Sequence, residues 1–108
     1  MTKELKLFCI IDEGSRAFSV TVSTEDSVDD LKKKIKSEKP ITFSGVEADE
    51  LTLWRAVVPE KSDDEAVSLE NIEKKKKLNE RALIGNLNKF KGWPKLTAQE
   101  AYIIIEQP

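Results

Sequence analysis

Few side chains in this 108-residue chain are equipped for covalent or proton-transfer chemistry. It has no histidine, so it lacks both the side chain that titrates nearest neutrality and the commonest metal ligand. Its single cysteine, Cys9, excludes an internal disulfide and any cysteine-based zinc site. Cys9 also sits in an apolar, strand-like run, which marks it as a small core residue rather than a nucleophile. The sequence contains no Gly-rich phosphate loop. Catalysis would therefore fall to a carboxylate pair in a cleft. The densest acidic cluster, Asp63-Asp64-Glu65, lies in a turn-rich polar stretch where solvation is the simpler expectation. These residues point to a protein that is not an enzyme and needs no cofactor and no metal.

Two other groups could bind rather than react. Leu51-Thr52-Leu53-Trp54-Arg55-Ala56-Val57-Val58 is a β-prone run with acids in front and Pro59 behind, and it carries one of only two tryptophans. Lys74-Lys75-Lys76-Lys77 is either a short monopartite nuclear import signal or the solvated end of a helix. A formal net charge of -2 argues against a dedicated nucleic-acid binder. No stretch approaches the roughly 20 apolar residues of a membrane span, and Met1–Glu4 opens no signal-peptide pattern. With 39% apolar and 35% charged residues, the chain fits a single domain over residues 1–108.

The elements that must position these groups follow from periodicity. Leu5, Leu7, Cys9 and Ile11 share one phase and Lys6, Phe8 and Ile10 the other, giving a strand. After the turn Asp12-Glu13-Gly14-Ser15, where Gly14 can take positive φ, Phe18, Val20 and Val22 alternate with Ser19 and Thr21. The pair reads as an antiparallel hairpin. Ser27 with Asp30 forms a capping signature, and Val28, Leu31 and Ile35 make one apolar stripe of a helix. Asp29/Lys33 and Asp30/Lys34 have i,i+4 spacing, and Pro40 closes the segment. Residues 41–50 read as a loop, and residues 60–65 as an exposed one. Ser68 can cap a second helix with Leu69, Ile72 and Lys76 on one face. Helical spacing resumes over 79–91, interrupted by Gly85, before the break Gly92-Trp93-Pro94. Tyr102–Ile105 is a final strand, apolar on both phases and suited to an internal position.

Hairpin, capped helix, strand, irregular helical excursion and final strand describe an α+β, β-grasp (ubiquitin-like) architecture. It has a mixed sheet, one main helix, an extended helical excursion before the last strand, and that strand beside the first. If Leu5, Leu7, Cys9, Leu51 and Leu53 face the helix, then Phe8, Ile10, Trp54 and Ala56 point the other way. An apolar second face is either covered by the 57–100 excursion or exposed for binding, and both remain open on sequence grounds. The candidate interaction residues are Phe8, Ile10, Trp54, Arg55 and Ala56.

Several of these stretches resemble the N-terminal domain of Crinkler effectors. They are Leu7–Ile11, Phe18-Ser19-Val20, Val28–Ile35, Lys39-Pro40, Ala48–Ala56 and Ile103–Pro108, in order over nearly the whole chain. The central run corresponds to the motif written L-x-L-F-L-A-K in oomycete members. Here it reads Leu51-Thr52-Leu53-Trp54-Arg55-Ala56-Val57, three motif positions departing, and is similar to the fungal form. The resemblance implies a ubiquitin-like header of a modular secreted effector, tied to delivery into host cells, with a separate C-terminal domain often acting in the host nucleus. It also implies that a missing signal peptide is no contradiction. The partner would be a protein, of the host or a second copy of the chain, with no nucleic acid bound by this domain. The alternative is a ubiquitin-like interaction or dimerisation module that mimics ubiquitin non-covalently. A conjugated modifier would need a terminal Gly-Gly, where this chain has Ile105-Glu106-Gln107-Pro108.

Overall fold

The computed structural model describes residues 4–14, 17–58, 67–87, 93 and 101–108. The expected loop over 60–65 and the helical spacing over 88–91 lie outside the described residues. The hairpin forms as its alternation dictates, with β1 (Glu4–Ile11) antiparallel to β2 (Phe18–Ser23) and Leu7 opposite Val20. The left-handed residue of its turn is Glu13, at φ 70°, rather than Gly14. Gly14 is needed for a different reason: a Cβ there would come within 2.9 Å of the Ile11 carbonyl oxygen.

Helix α1 (Val28–Glu38) begins at Ser27 with a full capping box. The Asp30 N–H donates to Ser27 Oγ and the Ser27 N–H to Asp30 Oδ2. Two more of the N–H groups that a helix start leaves open donate outside the helix, Val28 to the Ala82 carbonyl and Asp29 to the Glu80 carbonyl. Asp29 and Lys33 pair at 3.5 Å as expected, but Lys34 reaches back to Asp26 at 2.9 Å, because Asp30 is committed to the cap. The buried face is Val28, Leu31, Lys32 and Ile35, the i, i+3, i+4, i+7 stripe of an amphipathic helix.

Strand β3 (Thr52–Val57) realises the central run, and β5 (Ala101–Glu106) lies between it and β1, antiparallel to β3 and parallel to β1. The five-stranded mixed sheet has the order β2-β1-β5-β3-β4. It is compatible with a β-grasp, with α1 over one face. The internal place of β5 matches its apolar character on both phases: Ile103, Ile104 and Ile105 are all buried.

The connection between β3 and β5 departs from expectation. Ser68 starts no long helix; Leu69–Asn71 is a single 3₁₀ turn, and the Leu69 N–H donates to Asp12 Oδ1. The lysine block is not a helix end, because Lys75–Lys77 form the edge strand β4, antiparallel to β3. Of the helical spacing after 79, the described part yields only α2 (Ile84–Leu87). Gly85 lets α2 approach the end of β2, where its N–H donates to the Thr24 carbonyl at 3.0 Å and a Cβ would crowd the same oxygen. Residues 41–50, expected as a loop, turn without a strand but contribute Phe43, which is fully buried in the core.

Candidate interaction face

Alternation along the strands gives the sheet two unlike faces. On the helix side Leu5, Leu7, Cys9, Val20, Val22, Leu51, Leu53, Ile103 and Ile105 pack with α1, Phe43, Leu78, Ile84 and Leu87. Burial pushes the Cys9 thiol up to about 12, so it stays protonated and unreactive near neutrality. On the second side Ile10, Ala56 and Ile104 form a smaller cluster with Val67, Leu69 and Ile72, and Trp54, Val58 and Tyr102 pack at its margin.

That second cluster answers the question of the excursion. The segment from Val67 to Ile72 folds back over the sheet and is tied to the β1–β2 turn. The Glu13 N–H donates to the Val67 carbonyl at 2.7 Å, and the Val67 N–H to the Gly14 carbonyl at 2.9 Å. Lys75 Nζ donates to the Leu69 carbonyl. The tether covers Ile10 and Ile104 and leaves Phe8 37% exposed beside Lys6, whose Nζ stands 5.8 Å from the ring centroid.

Trp54 is half-buried. Its cross-strand neighbours are Ile104 on β5 and Lys77 on β4. The indole N–H donates to Glu106 Oε1 at 3.2 Å, and Lys75 Nζ lies 6.0 Å from the ring centroid. A half-exposed aromatic with a polar handle and flanking cations suits contact with another protein.

The five sequence candidates therefore separate. Phe8 and Trp54 offer surface, while Ile10 and Ala56 are buried beneath the tether and support the face from within. Arg55 is turned the other way by the strand's alternation and is only 1% exposed. Its Nη1 donates to the Leu87 carbonyl at 2.7 Å, and its guanidinium lies 5.2 Å from the Trp93 ring. Lys74 Nζ sits 5.3 Å from the same ring. Desolvation lowers the Arg55 pKa from the ordinary guanidinium value, though such a group remains a cation at any physiological pH. Arg55 thus anchors α2 to β3 instead of meeting a partner. Glu106 and Lys6 carry no sequence signal, and Lys75 stands out only as part of the lysine block, because their place beside the aromatics depends on strand register. Of the lysine block, Lys74, Lys76 and Lys77 are exposed and Lys75 is half-buried, with Lys74 near the Trp93 ring and Lys75 near the Trp54 ring.

Among the described residues, no cluster of carboxylate or thiol groups could hold a metal ion, and no described helix is long and apolar enough to cross a membrane. An open hollow of about 470 Å³ near Lys32, Asp49, Lys77 and Glu80 pairs equal numbers of cations and anions.

The sequence matches the family model described as the Crinkler effector protein N-terminal domain over residues 5–105. It is 45% identical over 53 residues to Crinkler effector protein 108 of Phytophthora sojae, covering 48% of this chain and 6% of that protein. It is 37% identical over 67 residues to Crinkler effector protein 1 of the fungus Rhizophagus irregularis, covering 60% of this chain and 14% of that protein. The matched regions are thus a small fraction of the length of both relatives.

Proposed function

The chain belongs to the Crinkler effector N-terminal domain family, and on that premise we propose that it is the non-enzymatic header of a secreted effector. In this reading it directs targeting or translocation into host cells through protein–protein contacts on the second sheet face. The observation that carries the reading is the exposure of Phe8 beside Lys6, on the same face as half-buried Trp54, where the tether buries Ile10, Ala56 and Ile104. A solvated strand face is ordinarily polar, and an aromatic left at its margin is suited to anchoring a partner. The buried, high-pKa thiol of Cys9 supports a binding role over a nucleophilic one.

The test is Phe8→Glu in the intact effector, with delivery into host cells as the readout and thermal unfolding as the control. Phe8 is partly exposed and outside both core clusters, so the expected result is lost delivery with an unchanged melting temperature. Full delivery by the folded variant overturns the assignment of this face. Entry into the host nucleus would be a separate property, read by moving Lys76 and Lys77 to alanine in the same effector.

A further inference from the structure

The tether over the second sheet face is held as a bound peptide would be. Residues 67–72 form no strand and make a single 3₁₀ turn, Leu69–Asn71. Yet both main-chain groups of Val67 and of Leu69 are met by other elements. The Val67 N–H donates to the Gly14 carbonyl, and the Val67 carbonyl accepts from the Glu13 N–H. The Leu69 N–H donates to Asp12 Oδ1, and the Leu69 carbonyl accepts from Lys75 Nζ. Glu13 takes part from a left-handed conformation at φ 70°, one that residues other than glycine adopt infrequently.

Side chains complete the fit. Val67, Leu69 and Ile72 cluster with Ile10, Ala56 and Ile104 of the sheet. Ser68 between them is half-buried, and Glu70 and Asn71 are exposed. The sheet face thus reads the main chain at the first and third positions and apolar side chains at the first, third and sixth. Peptide grooves divide recognition in the same way, with main-chain hydrogen bonds for affinity and pockets at intervals for selectivity.

The tether is also the outermost layer. Val67, Leu69 and Ile72 keep 4%, 7% and 9% exposure, against 0% for Ile10, Ala56 and Ile104 beneath them. None of its residues belongs to the larger cluster, so it can lift without opening the helix side. Exchange of tethers between two copies is restricted by chain length. Only Glu73 and Lys74 join Ile72 to β4, a reach of about 11 Å. A tether filling the groove of a second copy would therefore crowd two Lys74–Lys77 segments together, where like charges oppose it.

We propose that the groove beneath the tether binds an extended segment of a partner protein, with apolar residues at its first, third and sixth positions, in place of residues 67–72. Glu13 and Gly14 pair with the main chain of its first residue, Asp12 and Lys75 with that of its third. Ile10, Ala56 and Ile104 receive its side chains, with Trp54 at the margin. This deepens the reading of the second face as the contact surface, and it rests on that reading.

The test titrates a fluorescent peptide copying Val67–Glu73 into the 108-residue chain and into the double variant Leu69→Ser, Ile72→Ser, whose tether has lost two of its three apolar anchors. The variant should bind at least about tenfold more tightly than wild type, because the competing tether no longer fills the groove. The resonances of Ile10 and Ile104 should shift with it. A peptide with serine at its third and sixth positions should not bind. Asp12→Ala, added to the variant, should weaken binding about threefold or more, and Asp12→Asn, which keeps an oxygen acceptor, should restore it. If the double variant fails to fold, Ile72→Ser alone decides by the same comparison. Equal affinity of wild type and variant overturns the proposal, as does equal binding of the two peptides. Self-association of wild type that the peptide reverses overturns it in favour of a second copy. Phe8→Glu keeps the two readings apart. Lost delivery by that variant, with no peptide bound by the weakened-tether chain, overturns the groove alone, whereas full delivery overturns the reading on which the groove rests.

Discussion

The Trp54 indole N–H meets the Glu106 carboxylate at 3.2 Å, joining the middle of β3 to the end of β5 on the sheet's second face. The bond holds the ring at the margin of the smaller cluster, where Lys75 also approaches it. Its partial burial puts its net worth at about 1 kcal/mol. Glu106→Ala should therefore lower the unfolding free energy by about 1 kcal/mol, and Glu106→Gln, which keeps an acceptor, by less. Urea unfolding followed by tryptophan fluorescence measures both. Identical curves for wild type and Glu106→Ala would show that the bond contributes nothing in solution.

Arg55 carries the larger stability consequence, although it adjoins Trp54 in sequence. Arg55→Met keeps much of the packing volume but leaves the Leu87 carbonyl without its donor at Nη1. An unsatisfied buried acceptor costs about 1–3 kcal/mol, and Arg55→Ala adds a cavity to that. Denaturant unfolding should rank the variants wild type, Met, Ala in falling stability. Any loss of delivery in an Arg55 variant should then follow its loss of fold, unlike the loss in Phe8→Glu.

Much of this frame was legible in the residues. Period-two alternation in Leu5–Ile11 and Phe18–Val22, the Ser27/Asp30 cap and the Val28-Leu31-Ile35 stripe are local signals, and each formed the element it indicates. Strand β4 was not legible, since three lysines have no apolar period and pair with β3 through the main chain. Leu69 and Ile72 are three apart, a spacing that a helix and a single 3₁₀ turn share. What selects the turn is Asp12, distant in sequence, which accepts from the Leu69 N–H. The same limit applied to the candidate site. Alternation alone turned Trp54 away from the helix, but the burial of Ile10 and Ala56 depends on a tether that only the tertiary structure supplies.

The capping box at α1 offers a local test of how much the helix start contributes. Ser27→Ala removes the acceptor of the Asp30 N–H and should cost about 1 kcal/mol. Ser27→Asn or Ser27→Asp should recover most of it. Calorimetry of the three variants checks this, and equal melting temperatures for Ser27→Ala and wild type would contradict it.

Asp26 should give the fold an acid-sensitive contribution. The Ser23 backbone N–H, together with the Lys34 ammonium, holds its pKa below the ordinary 3.8. A carboxylate with a depressed folded-state pKa stabilises fully above its unfolded value and loses that contribution as pH falls through the folded one. The gap in stability between wild type and Asp26→Asn should therefore be constant from neutrality down to the ordinary carboxylate range. It should narrow only below pH 3.8. Denaturant curves at a series of pH values check this, and a gap that closed above that range would refute the assignment.

Cys9 gives the most direct solution test of the sheet's helix side. Its thiol is fully buried in the larger cluster, and desolvation raises its pKa to about 12. The thiolate is the reactive form, so at mildly alkaline pH the folded chain should resist a thiol-specific reagent that labels it at once in denaturant. Labelling then reports opening of the core, and its rate should rise in Arg55→Ala in proportion to that variant's lost stability when closing outpaces reaction. Phe8→Glu, which alters only the second face, should label as slowly as wild type. Rapid labelling of the native chain would mean that β1 does not present Cys9 to α1, and the register that assigns Phe8 to the opposite face would fall with it.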